Sequence, residues 1–265
     1  MIINCFLNRF AEHPSLPTGI STVLVHGHNR SLVAHIGAAG VYQEEYLTEE
    51  LLHDMRTTQI VLLEAYFCLH NIPVCQKIVQ ECLQNGTCIV FALSSDYLYQ
   101  NPSSELLDLI KSSDILLGNE REFKALAKFI QGSIADNTEE WIHTILDWCP
   151  KENKFPPLKL KHLQHKGKIV VCTQGKNPVI CGEQMSGAIT KIPVPKIEKV
   201  VDGTGAGDSF ASGILLGILL QKDIITCCQI GMYASGEILQ QVGCDIPEHS
   251  PQTLIPQSRI GALIS

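Results

Sequence analysis

The sequence predicts an α/β chain whose doubly wound, mostly parallel sheet is flanked by helices. Four short apolar runs, at 60–63, 88–93, 115–117 and 169–173, are rich in β-branched residues and do not alternate with polar ones. Strands buried on both faces of a parallel sheet have that pattern. Between the runs lie stretches of helical spacing, and strand–helix alternation implies right-handed βαβ crossovers. With 45% apolar residues in a chain of 265, there is enough material for a sizeable core, so a disordered chain is excluded.

Taken in order, residues 20–36 (ISTVLVHGHNRSLVAHI) read as two short strands around a turn at His26–Asn29, a hairpin. Val74, Ile78, Val79 and Cys82 mark a helix that stops near Asn85-Gly86. Leu106, Leu107 and Ile110 mark a second helix, and Phe123, Leu126, Ala127 and Ile130 a third. Residues 149–168, rich in Pro, Lys and His, read as an exposed loop. Residues 178–190 read as a second hairpin, turning between Gly182 and Gly187. From Val200 a β-like approach leads through a glycine-dense turn into a helix apolar on nearly every side, which must be central. A further helix spans about 224–241, with Gly243 as its C′ glycine. No internal repeat is found, and the final fifteen residues show no pattern. One domain accounts for the whole of 1–265.

Composition excludes several function classes. The formal charge is −7 with no long basic run, whereas nucleic-acid binding needs a clustered Lys/Arg footprint. The longest apolar stretch, 214–220, is far short of the ~20 residues a membrane helix needs. Asn4, Asn8, Arg9 and Glu12 interrupt any signal-peptide core. Eleven cysteines are an odd number scattered through apolar runs, which fits buried thiols in a reducing, cytosolic compartment. His162-x-x-His165 has metal-like spacing but no companion ligands and reads as solvated loop.

Four constellations can carry chemistry. In Asp202-Gly-Thr-Gly-Ala-Gly-Asp208, small residues at Gly205, Ala206 and Gly207 let backbone N–H groups approach a ligand. The following helix aims its positive dipole end at the same point, making an anion hole. Asp208 in the first turn then suits removal of a proton from a hydroxyl that attacks a phosphoryl group. A glycine turn before an ordinary helix-start aspartate accounts for the same residues. Asp208 replaces the third glycine of GxGxxG, and no GxxxxGK[ST] occurs, so dinucleotide and P-loop readings fail. Gly118-Asn-Glu-Arg-Glu122 follows a strand, where Asn119 and Glu122 can order hydrated Mg²⁺ and phosphate oxygens; a charged helix start is the plainer reading. Thr173-Gln-Gly175-Lys176 ends a strand and can run along a nucleotide, or be a plain strand exit. Gly27-His-Asn29-Arg30 at the hairpin tip offers an arginine that can clamp phosphate, or merely a solvated one.

Together these segments resemble the ribokinase-like (PfkB) sugar and nucleoside kinases, in particular the adenosine kinase branch. The residues that carry the resemblance are PTGISTVLVHGHNRSLVAHIGAAGVY (17–42), GNEREF (118–123), VVCTQGK (170–176), VVDGTGAGDSFASG (200–213) and GMYASGEILQQVGCDIP (231–247). The likeness covers about Ser15 to Pro247. It implies a ribokinase-like fold and transfer of the γ-phosphate of ATP to the 5′-hydroxyl of adenosine, with Mg²⁺ as cofactor. By matched position, Asp208 would be the base and Gly205, Ala206 and Gly207 the anion hole. Arg30 and Asn119 would hold phosphates, and Thr173, Gly175 and Lys176 would lie along ATP. Glu122 and Asn29 would manage the metal. The 20–36 hairpin would be a remnant β lid. The family's usual setting implies purine salvage in cytosol and nucleus, commonly as a monomer.

Departures qualify that expectation. His28, Ala92 and Thr204 stand where the family prefers Asp, Asn and Asn. The fourteen residues before Ser15 are too few for the family's first strand, its ribose-gripping Asp, much of its lid and its Gly-Gly…Asn motif. The expectation is an activity impaired by that short N-terminus, weaker adenosine binding and a tendency to associate. A sugar kinase of the same superfamily and a silent nucleotide-binding protein are the alternatives.

Overall fold

The computed structural model describes residues 11–26, 29–150, 157–164 and 166–244, with backbone alone at 25, 26, 29 and 30. The expectations for Gly27, His28, His165 and the final fifteen residues therefore lie outside the described residues. The chain forms two sheets. β1 (Ile20–His26) and β2 (Asn29–His35) make the expected antiparallel hairpin, with Ile20 opposite His35 and His26 opposite Asn29. A six-stranded mixed sheet has the order β3 (Ile60–Glu64), β4 (Cys88–Ala92), β5 (Ile115–Asn119), β6 (Ile169–Gln174), β7 (Asn177–Glu183), β8 (Ile189–Ile192). Strands β3 to β6 are parallel, and β7 and β8 pair antiparallel.

Helices cover both faces of this sheet. On one side lie α1 (Glu49–Thr57), α2 (Ala65–His70), α3 (Ile72–Asn85), α4 (Ser104–Ser112), α5 (Glu120–Gln131) and α6 (Thr138–Trp148). On the other lie α7 (Ala206–Leu219) and α8 (Ile224–Leu239). Successive residues of the inner strands feed opposite cores: Ile89, Phe91, Leu116 and Val170 face α1–α6, while Val90, Ile115, Leu117 and Val171 face α7–α8. Their apolar runs cannot alternate because neither face meets water. β3 departs from that expectation. It is an edge strand with Leu62 and Glu64 exposed and only Leu63 buried.

Helix ends follow local chemistry. Thr48, Ser103, Asn137 and Asp223 each accept a first-turn backbone N–H at α1, α4, α6 and α8. Gly86 ends α3 at φ 64°, a left-handed cap suited to glycine. Three expectations need correction. No strand forms at Val200. The chain there is irregular, both Val200 and Val201 are exposed, and one bond from Val201 N–H to the Leu239 carbonyl (2.8 Å) replaces a ladder. Gly243 is not the C′ residue of α8, which ends at Leu239; its φ of 76° serves a later turn.

The described part of 149–168 is not simply exposed. Leu160, Leu163 and Lys168 are buried, and the Lys168 ammonium donates to the Ile110 carbonyl (2.8 Å), the Ser113 carbonyl and Ser113 Oγ (3.0 Å). A buried cation satisfied by helix-end acceptors is stable where an unpaired one is not. The ten described cysteines are all free, nine of them buried, in agreement with the sequence reading. Among the described residues, no helix is long and apolar enough to cross a membrane.

Candidate active site

Because β3 to β6 run parallel, their C-terminal ends share one edge of the sheet, where open α/β sheets bind ligands. Asn119 ends β5 opposite Thr173 of β6, and Thr173 Oγ1 donates to the Gly118 carbonyl at 3.3 Å. Asn119 is also the N-cap of α5. Its Oδ1 accepts from Arg121 N–H (2.9 Å) and Glu122 N–H (3.2 Å), and Glu122 Oε2 accepts from Asn119 N–H (2.9 Å). Asn119 Nδ2 donates to Glu122 Oε1 at 2.5 Å. This reciprocal capping box draws the Glu122 carboxylate inward, leaving it 6% exposed. Burial pushes its carboxyl above the usual range, with Asp96 and Glu64 adding to the rise against the Asn119 hydrogen bonds.

Glu64 and Asp96 were not singled out by sequence reasoning. Glu64 is the last residue of β3 and Asp96 lies beyond the end of β4, and no spacing rule links them to Glu122. Ser94 joins Glu64 to the framework: it donates to Glu64 Oε1 (2.8 Å), accepts from Ala65 N–H (3.2 Å) and holds φ at 63°. A non-glycine residue in that region stores strain that its surroundings must hold.

The second half of the site is the start of α7. Gly205 is its N-cap at φ 75°, in the left-handed region, and no side chain caps the helix. Ser209 N–H reaches the Gly205 carbonyl at 2.9 Å and Ala206 N–H only the Gly203 carbonyl at 3.4 Å. Among the described residues nothing accepts from the N–H of Gly207 or Asp208, and a Cβ built on Gly207 would meet nothing within 4 Å. Asp208 is exposed in that first turn. Uncapped amides at a positive dipole end, open to solvent and beside a carboxylate, can receive phosphoryl oxygens and a hydroxyl proton.

α7 packs Phe210, Ile214 and Ile218 into the core that also holds Leu117 and Val171, just before Gly118 and Cys172 on β5 and β6. The structure thus brings Asn119 and Glu122 into direct contact, places Thr173 beside Asn119 on the neighbouring strand, and sets α7 against the same strands. No described hydrogen bond joins Asp208 to Asn119 or Thr173. Gly175, at φ 60°, and Lys176 form the exposed turn from β6 to β7. Arg30 and Asn29 are placed only as backbone in β2, opposite Val25 and His26.

Residues 8–251 match the pfkB family carbohydrate kinases. The chain belongs to that family. Adenosine kinase 2 of Arabidopsis thaliana is 28% identical over 243 residues, covering 90% of this chain and 66% of the relative. The adenosine kinase of Dictyostelium discoideum is 25% identical over 252 residues, covering 94% of this chain and 70% of its own. The Anopheles gambiae adenosine kinase, solved in complex with P1,P4-di(adenosine-5) tetraphosphate, superposes with TM-score 0.77 at 28% identity, over 88% of this chain and 65% of that one. Against its first curated relatives this PfkB chain spans 66% of their length. The fold is accordingly ribokinase-like.

Proposed function

We propose that this PfkB chain transfers the γ-phosphoryl group of ATP to the 5′-hydroxyl of adenosine. The likeness to adenosine kinases from a plant and an amoeba supports the choice of acceptor. The observation that carries the reaction class is the uncapped, open N-terminus of α7 with exposed Asp208 in its first turn. In this reading the backbone at Gly205, Ala206 and Gly207 receives the oxygens of the transferring group. Asp208 takes the hydroxyl proton as the new O–P bond forms, and ADP leaves with the electron pair of the broken bond. Positioning and charge stabilisation do most of the work in such a transfer.

Asn119 and Arg30 would hold phosphate oxygens, with Thr173, Gly175 and Lys176 along the nucleotide. Magnesium fits as a hydrated ion. Both Glu122 oxygens are engaged by Asn119, and among the described residues no three metal-ligating side chains gather. Mg²⁺ keeps several of its waters, so Glu122, with Asn29, would hold it through water rather than directly. The negative field of Glu64, Asp96 and Glu122 favours a cation there. Bound, the ion would neutralise the β- and γ-phosphate oxygens.

The test is a panel of adenosine, ribose and fructose, each offered with ATP and Mg²⁺ to the purified chain. AMP formed from adenosine, with the sugars at least tenfold poorer, is the expected result. A sugar phosphate as the main product, or no phosphorylated product at all, contradicts the proposal.

A further inference from the structure

We propose that Asp202 is a positioning residue for phosphoryl transfer, acting through the backbone that opens α7; this rests on the kinase reading above. The N-cap of α7 is a glycine, so no side chain of its own fixes the loop that must present amides to phosphate. Asp202 supplies what is missing from three residues upstream of that N-cap. Its Oδ1 accepts from both Thr204 N–H (3.0 Å) and Thr204 Oγ1 (2.8 Å), closing a tight turn on itself. Its Oδ2 accepts from Gly243 N–H at 3.1 Å, beyond the end of α8.

Two further contacts lie on the same side. Val201 N–H donates to the Leu239 carbonyl at 2.8 Å, and a Cβ built on Gly205 would fall 2.7 Å from Cys244 Cβ. The segment 239–244 therefore backs the loop, while Gly207 faces open space. One face is braced and the other presented. Asp202 joins the two segments through its side chain, beside the Val201–Leu239 backbone bond, and its charge strengthens each bond it accepts. Thr204, which departs from the family's asparagine, contributes here through its hydroxyl.

Loosening this brace should raise the motion of residues 203–208 without removing any group that touches substrate. A displacement of about 1 Å at a reacting centre can cost ~10²-fold in rate. In the full chain, Asp202→Ala is expected to lower kcat roughly 10–100-fold. KM for adenosine should stay within about twofold and the melting temperature within a few degrees. Hydrogen–deuterium exchange should rise in peptides covering 203–209 and stay unchanged in those covering the second half of α7. Asp202→Asn keeps the shape and one acceptor, so it should fall between wild type and alanine; it serves if the alanine variant does not fold. Unchanged exchange at 203–209, or kcat and KM altered in proportion, overturns the proposal. A wild-type chain that phosphorylates no acceptor overturns the kinase reading instead. In that case exchange alone still decides whether Asp202 braces the loop.

Discussion

Gly207 offers a substitution in which fold and function should move in opposite directions. It is the second residue of α7, its φ is not positive, and an added Cβ would meet nothing within 4 Å. Gly207→Ala therefore introduces no clash and removes freedom from the unfolded chain, a gain of about 0.4–1 kcal/mol. At ~2–4 °C per kcal/mol for a chain of this order of size, Tm should rise by about 1–4 °C. The same methyl group occupies the open side of the helix start, where phosphate oxygens would need to come within hydrogen-bond distance of the amides. Displacing them by about 1 Å should lower kcat/KM some 10²-fold. The assay pairs thermal unfolding with ADP release at saturating and limiting ATP. A variant that is more stable and fully active would make Gly207 an ordinary helix residue and refute the anion-hole reasoning.

Gly213 should show the reverse pattern of stability. A Cβ there would lie 2.6 Å from Gly231 Cα and 2.8 Å from the Ile230 carbonyl oxygen, backbone that cannot swing aside. Overpacking costs ~1–3 kcal/mol against a helix gain of ~0.5–1 kcal/mol, so Gly213→Ala should lower Tm by several degrees in a thermal melt. Asp223 caps α8 through Thr226 N–H (3.0 Å) and Thr226 Oγ1 (2.7 Å), and Asp223→Ala should cost about 1 kcal/mol at neutral pH. The Thr226 hydrogen bond holds this carboxyl below its ordinary 3.8. Its stabilisation is therefore present above that pH and lost as pH falls through the folded value. Urea unfolding of wild type and variant should show the gap closing only in acid below about pH 4.

Much of the central sheet was legible because β4, β5 and β6 are buried on both faces and so appear as unbroken apolar runs. The stop of α3 was legible too, since Gly86 is a local device. β3 was read as equally buried because its composition matches the others, while edge position is a property of topology rather than of the strand. Lys168 was assigned to a solvated stretch because lysine is seldom buried. Its acceptors, Ile110 and Ser113, are more than fifty residues away and carry no sequence signal. Asn119 and Glu122 were legible as a pair. Their spacing, an Asn followed three residues later by Glu, is also that of a capping box, and that is the bonding they make. Glu64 and Asp96 reach Glu122 only through the sheet. Asp202 was visible as part of the glycine-rich motif, but its hold on Gly243 spans 41 residues and shows only in three dimensions.

The role of Asp208 is the centre of the account. Asp208→Asn keeps the side chain's size at an exposed position in the first turn of α7, so fold and nucleotide binding should persist. Loss of a general base typically costs ~10²–10⁴-fold in turnover. The direct measurement is steady-state kcat for adenosine with ATP and Mg²⁺, with ATP affinity of both proteins taken by calorimetry. A fall in kcat within that range at unchanged ATP affinity is the predicted result. A variant that turns over at near the wild-type rate would remove Asp208 from the chemistry and contradict the assignment of the α7 start as the catalytic centre.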